Sequence, residues 1–153
     1  MSSGVKVGQD ITDKYHNIKM GKLHRFVSLR LVEVEDGSTG GKTLTFAPER
    51  EMMKEDQRGG DDPLTDVIEF MKDNCARFII LDYPVFGKSE GSSKHDELFL
   101  IQYIPDACKV KDRMVYAASA QCLKKVVNCK FIQMNDWEDL TPELLQEVCG
   151  GCK

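Results

Sequence analysis

The chain is short of several things, and each shortage excludes a class of protein. No run approaches the roughly 18 apolar residues that a membrane-spanning helix needs. With 12 Gly and 5 Pro in 153 residues it is neither collagenous nor low-complexity, and 41% apolar against 30% charged residues exceeds what a disordered chain carries. The opening Met1-Ser2-Ser3-Gly4-Val5-Lys6 lacks a secretory signal's apolar stretch, so a cytoplasmic setting with reduced thiols is expected. The phosphate loop G-x-x-x-x-G-K-[ST], the dinucleotide G-x-G-x-x-G, the zinc motif H-E-x-x-H and the nucleophile elbow G-x-S-x-G are all missing. His16, His24 and His95 stand isolated, and His16 and His24 read as helix-face and cap residues rather than bases. No enzyme, metal or cofactor is expected, and the acidic doublets Asp61-Asp62 and Glu138-Asp139 read as solvated surface.

What is present is one domain's worth of chain with a net charge of −4, which argues against a nucleic-acid binder. The charge is unevenly distributed. Residues 5–30 carry six basic and two acidic side chains, and residues 109–130 six basic and one acidic. Residues 33–102 hold eight basic against sixteen acidic groups, and the stretch from 133 onward holds five acidic residues and one Lys. Two basic segments in an acidic body form a steering patch for an acidic partner if the fold unites them.

The six cysteines contain one close pair, Cys149-Gly150-Gly151-Cys152. A thioredoxin-type C-x-x-C opens a helix after a strand, whereas this one falls at residues 149–153, read as a flexible tail. Zinc needs two further ligands that no second C-x-x-C or His pair supplies. Cys75 and Cys122, among apolar neighbours, read as small core residues.

Ile11, Tyr15 and Ile18 predict a helix over 9–22, and a strand over 25–34 forms a hairpin with Thr43–Phe46. Residues 47–62 read as a long exposed loop, and Pro63 opens a helix whose face is Leu64, Val67, Ile68 and Met71. Apolar runs at 77–83 and 98–104 predict strands buried on both faces, separated by a loop over 87–95. A second strong helix spans 111–127, with Val115, Ala118, Cys122 and Val126 as its buried stripe. A short strand at 131–134 and a closing helix capped by Thr141 with Pro142 in its first turn complete the order. This string implies an α/β fold of the α+β type: a mixed sheet of about five strands, flanked by helices on both faces.

Lys111 and Arg113 lie at the start of the 111–127 helix, where positive charge opposes the dipole by a few tenths of a kcal/mol. A partner supplying acidic groups would compensate them, and so would tertiary packing alone. Lys124 and Lys125 fall where the dipole favours them.

Ile104-Pro105-Asp106-Ala107 with Lys111-Asp112-Arg113-Met114-Val115-Tyr116-Ala117-Ala118-Ser119 closely resembles the W-x-P-[DE]-x-A-x-x-[KR]-x-[KR]-M-x-Y-A-S-S signature of the actin-depolymerising factor (ADF)/cofilin family. Ser3-Gly4-Val5-Lys6-Val7 is similar to that family's S-G-[VI]-x-V start, and Ile18–Val27 to its L-K-x-x-[KR]-x-H-R-[FY]-[VI] stretch. Cys75-Ala76-Arg77-Phe78 resembles C-R-[YF] with one residue inserted. These matches cover nearly the whole chain in family order.

The resemblance implies a single ADF-homology domain, with residues 1–8 as an N-terminal extension, that binds monomeric and filamentous actin and promotes depolymerisation as a monomer on the cytoskeleton. It places Gly4, Val5, Lys6, Lys111, Arg113 and Met114 on the actin-monomer surface. Lys94, Lys124 and Lys125 would contact the filament or a phosphoinositide headgroup. Ser3 matches the regulatory serine, where a phosphate would add about −1.5 to −2 charge and oppose binding. Three departures point to weak severing. Asp96 and Glu97 stand where basic residues are common. Glu143, Gln146 and Glu147 give the closing helix no basic residue, and Ala120-Gln121 replace a Lys-Asp pair. Two alternatives remain. Glu138–Leu145 resembles the E-D-L-T-x-E-x-L of glia maturation factor, which acts on the actin-branching complex. A small thiol oxidoreductase would use Cys149 and Cys152.

Overall fold

The computed structural model describes residues 5–21, 24–35, 40–56, 64–86 and 94–149. Its strands are β1 (Val5–Lys6), β2 (His24–Glu35), β3 (Lys42–Met53), β4 (Arg77–Phe86), β5 (Lys94–Tyr103) and β6 (Lys130–Met134). The helices among the described residues are α1 (Gln9–Gly21), α2 (Leu64–Met71), α3 (Val110–Lys124) and α4 (Pro142–Cys149). One sheet runs in the order β1-β3-β2-β4-β5-β6. Its β1–β3 and β5–β6 pairs are parallel and the rest antiparallel, so the expected mixed sheet of about five strands is present, with the two-residue β1 added at its edge.

Strand alternation divides the core in two. Phe78 and Ile80 of β4, Val27 and Leu29 of β2 and Leu100 of β5 face α1 and α3, which contribute Ile11, Tyr15, Ile18, Tyr116, Ala120 and Leu123. Ile79 and Leu81 of β4 with Phe99 and Ile101 of β5 face α2 and α4, which contribute Leu64, Val67, Met71 and Leu145. Helices cover both faces, as the central apolar runs require.

Several boundaries differ from the sequence reading. β3 continues to Met53 and a 3-10 turn covers Lys54–Asp56, so the first ten residues of the expected 47–62 loop are ordered backbone; 57–62 lie outside the described residues. Pro48 and the charges of 49–51 hid this strand. β1 pairs only with Leu44 and Thr45, so at Pro48 the outer side of β3 has no strand neighbour and proline is tolerated; partners elsewhere meet the carboxylates, Arg77 and Arg30 at Glu49 and Lys14 and His24 at Glu51. β4 runs on to Phe86 and β5 starts at Lys94, which shortens the expected 87–95 loop. His24 is no cap: it opens β2 and its Nε2 lies 3.0 Å from Glu51 Oε1. Cys75 and Cys122 are half-buried rather than core residues. Residues 5–6 of the proposed extension join the sheet, and Cys149 ends α4. Pro63 and residues 150–153 lie outside the described residues.

The largest fully buried side chain is Arg77, at the start of β4. Its Nε and Nη2 donate to Glu49 at 3.0 and 3.1 Å, and Nη1 and Nη2 donate to Asp73 at 2.7 and 2.8 Å. Nη1 also donates to the Phe70 carbonyl at 3.2 Å, so every N–H of the fork has an acceptor, as a buried guanidinium requires. The bonds from Arg77 hold the Asp73 carboxyl below its usual range. Asn74, at φ 59°, supplies the left-handed residue that turns the chain from α2 towards β4.

Candidate functional site

The site is built on α3, and the packing of its inner face decides what its outer face presents. Tyr116 is the pivot. Its hydroxyl accepts the Leu31 N–H at 3.0 Å, beyond the last β2–β4 pair at Leu29, so a side chain replaces the missing strand partner. The Tyr116 ring stacks on Phe78 at 5.7 Å, and its carbonyl accepts the Gln102 side chain at 3.0 Å. The buried stripe is Tyr116, Ser119, Ala120 and Leu123, followed by Val127. The expected stripe of Val115, Ala118, Cys122 and Val126 is therefore corrected: Ala118 is exposed and the other three are half-buried. Both sets have helical spacing, and Tyr116 wins because its ring and hydroxyl find partners in the sheet.

That rotation turns Lys111, Met114, Ala118, Gln121 and Lys125 outward along one side of the helix, with Arg113, Ala117 and Lys124 beside them. Met114 is 67% exposed and Val110, one turn earlier, 66%. Val110 is the residue missed by the sequence reading; its position four residues before Met114 was the available signal. The first turn carries Asp112 but no side-chain cap: Lys109 occupies the N-cap position without a side-chain hydrogen bond. Arg113 does find an internal partner, since Nη2 donates to the Asp106 carbonyl at 2.8 Å. This answers part of the anti-dipole charge within the chain and fixes the guanidinium on the β5–α3 turn.

The other expected site residues fall in different places. The β1 backbone (Val5 and Lys6) pairs with Leu44 and Thr45 and contacts α3, so the N-terminal segment and the long helix share one end of the molecule. Ser3 and Gly4 lie outside the described residues. Lys124 sits 4.3 Å over the Phe131 ring, and Lys125 is exposed at the helix C-cap. Lys94 begins β5 opposite Phe86, on the hairpin arm remote in sequence from α3. Two clefts flank α3. One, of about 510 Å³, is lined by Arg30, Glu33, Cys75, Cys108, Lys111 and Tyr116 among others. The other, of about 420 Å³, includes Ile104, Arg113, Ala117 and Met134. Among the described residues no cluster of His, Cys, Asp or Glu is arranged to hold a metal ion, and no helix is long and apolar enough to cross a membrane.

The outer face of α3 is thus exposed, apolar and cationic, with the N-terminal strand beside it. The family model for cofilin/tropomyosin-type actin-binding proteins matches residues 4–150. The chain is 26% identical over 147 residues to cofilin/actin-depolymerizing factor homolog 2 of Plasmodium falciparum, covering 94% of this chain and 95% of that one. Its fold superposes on ADF-like UNC-60A of Caenorhabditis elegans with a TM-score of 0.71 at 20% identity, covering 97% and 95% of the two chains. Against Plasmodium berghei actin depolymerization factor 2 the TM-score is 0.65 at 21% identity, covering 97% and 99%. With nearly its whole length matched, the chain belongs to the cofilin/tropomyosin-type family of actin-binding proteins.

Proposed function

We propose that this protein binds monomeric actin through the outer face of α3 and the N-terminal segment beside it, promotes filament depolymerisation, and severs weakly. The observation that carries the reading is the outward side of α3, where Met114 is 67% exposed between Lys111 and Arg113. A solvated helix gains nothing from an exposed Met and Val one turn apart, whereas an apolar cleft rimmed by acidic groups would bury both and pair the two cations. Val5 and Lys6, whose backbone forms β1 next to α3, would extend this surface, together with Gly4 before them in sequence. A phosphate on Ser3, two residues before β1 in sequence, would add negative charge and oppose binding.

The filament side is the weaker half. Asp96 and Glu97 enter β5, and α4 presents Glu143 and Glu147 to solvent, so this side repels an acidic filament surface. Lys94, Lys124 and Lys125 are its cations, and the same three would meet a phosphoinositide headgroup. Lys124 has a second use, since it already covers the Phe131 ring. The protein works by binding, as a cytoskeletal monomer, rather than by catalysis.

Neither alternative gains an observation of its own. The stretch resembling glia maturation factor is accounted for by capping: Asp136 accepts the Glu138 N–H at 2.9 Å and Thr141 Oγ1 accepts the Leu144 N–H at 3.1 Å. Cys149 ends α4 instead of opening it, so it lacks the helix N-terminus that thiol oxidoreductase motifs use.

The test is a native-gel shift with monomeric actin, plus pelleting with filaments, on wild type and Lys111→Ala/Arg113→Ala. Wild type should shift monomeric actin and the double variant should not. Failure of the wild type in both assays ends the reading, and extensive severing at low protein concentration ends its weak-severing clause.

A further inference from the structure

The hairpin arm of β2 and β3 outruns the rest of the sheet, and its two edges are treated differently. β1 covers the β3 edge at Leu44 and Thr45. On the other edge, β2 continues to Glu35 but its pairing with β4 stops at Leu29, so residues 31–35 pair with β3 alone among the described strands. The Leu31 N–H turns away from β3, to the Tyr116 hydroxyl. Backbone groups alternate between the two sides of a strand, so the N–H and C=O of Glu33 turn to that same open side. β3 cannot reach them there, and no other hydrogen bond among the described residues does. Side chains alternate as well. Val32 and Val34, 39% and 40% exposed, lie on one face of the strand, and Glu33 and Glu35 on the other. Glu33 lines the 510 Å³ cleft, whose apolar lining includes Leu31, Leu44, Ala76 and Val115. The cleft's α3 wall carries both signs, in Lys109, Lys111 and Asp112, and Arg30 is engaged by Glu49 at 3.6 Å. No cation among the described residues meets the Glu33 carboxylate.

We propose that this edge docks an extended basic segment of a partner protein, which adds to β2 as a strand and sets an arginine or lysine in the cleft against Glu33. Main-chain hydrogen bonds at Glu33 and Glu35 hold the segment, and its alternate side chains select it. The residues opposite Val32 and Val34 are apolar and bury those two valines. The cationic residue between them lays its methylene stem along the apolar lining of the cleft and its head beside Glu33. Charge decides the occupant. An acidic segment would set like charges directly opposite Glu33 and Glu35, and so would a second copy of this chain paired edge to edge about Glu33. The two glutamates therefore guard the edge against self-association while leaving it open to a basic strand. The site uses the β2 edge rather than the outer side of α3, so it stands or falls independently of actin binding.

The probe is the blocked peptide Thr-Arg-Val-Arg-Val-Thr, titrated into the full-length protein and followed by backbone amide resonances. The amides of residues 31–35 should shift, and that of Glu33 should gain protection from hydrogen exchange. The same peptide with glutamate in place of arginine should bind at least about tenfold more weakly, and Glu33→Lys should reverse that preference. N-methylating the peptide backbone at its two arginines keeps every side chain and charge but removes the donors that face β2. It should abolish binding, which separates strand addition from charge attraction alone. Binding that survives methylation overturns the proposal. So does equal binding of the two peptides, or the absence of shifts at residues 31–35 with millimolar arginine peptide. Sedimentation of the protein alone should show a monomer; a dimer whose Glu33 amide is already protected assigns the edge to a second copy and overturns the basic partner.

Discussion

The helices α3 and α4 differ in how closely they follow the local rules of helix formation. α4 follows local rules throughout: a Thr141 cap whose hydroxyl accepts the Leu144 N–H, Pro142 at its first position, acidic Glu143 in its first turn, and Leu145 fully buried. α3 shares the acidic first turn, through Asp112, but departs from the other rules where it begins. Lys109 caps nothing, Lys111 and Arg113 oppose the dipole, and Val110 and Met114 stand in solvent. Its stability comes from the inner face, through the Tyr116 hydroxyl on Leu31, the Tyr116 carbonyl on Gln102 and the Leu123 core contact. Because the inner face holds the helix, the outer face is free to be suboptimal for folding.

Breaking the two helices should therefore give opposite phenotypes. The largest effect belongs to Leu145→Ala, which should cost about 2–5 kcal/mol of stability by denaturant unfolding while the folded fraction still binds actin. Lys111→Ala/Arg113→Ala should lose at least about tenfold in monomer affinity, roughly 1.4 kcal/mol, with unfolding shifted by no more than about 0.5 kcal/mol. Equal loss of stability in that variant would show the two helices to be alike after all. Thr141→Ala should cost about 1 kcal/mol of stability and nothing in binding. Lys109→Asp sharpens the contrast from the other side. It supplies α3 with the missing cap, and should stabilise the fold by about 0.5 kcal/mol while weakening actin binding.

The smallest effect concerns acid. Arg77 holds the Asp73 carboxyl below its ordinary value, so this stabilisation is complete above the ordinary aspartate range and is lost as pH falls through the lower folded value. Asp73→Asn should flatten the decline of Tm on acidification below about pH 4, as followed by circular dichroism. An unchanged acid limb would assign the decline to other carboxylates.

Legibility in the sequence followed locality. Ile11, Tyr15 and Ile18, the apolar runs of β4 and β5, and the Thr141-Pro142 start each carry their own periodicity or cap, and each was readable. The second half of β3 was not, because Pro48, Glu49 and Glu51 look like loop until Arg77, Lys14 and His24 arrive from elsewhere to pair with them. The rotation of α3 is hidden for a related reason: Tyr116 and Ala118 compete for the inside, and only the Leu31 N–H, which has no β4 partner, and the Phe78 ring decide between them. Met114 was legible through the family resemblance, but its partner Val110 was not.

Composition, periodicity and motif by themselves determined the class of fold, the family and the basic character of the segment at Lys111, since these depend on residue types at fixed spacing. Tertiary structure alone decided which side of α3 faces solvent, which buried guanidinium Glu49 meets, and which thiols share a cleft with cations. Those outcomes turn on hydrogen bonds and packing between residues far apart in the chain, such as Tyr116 with Leu31 and Arg77 with Glu49. A partner's position in space is what no local pattern contains.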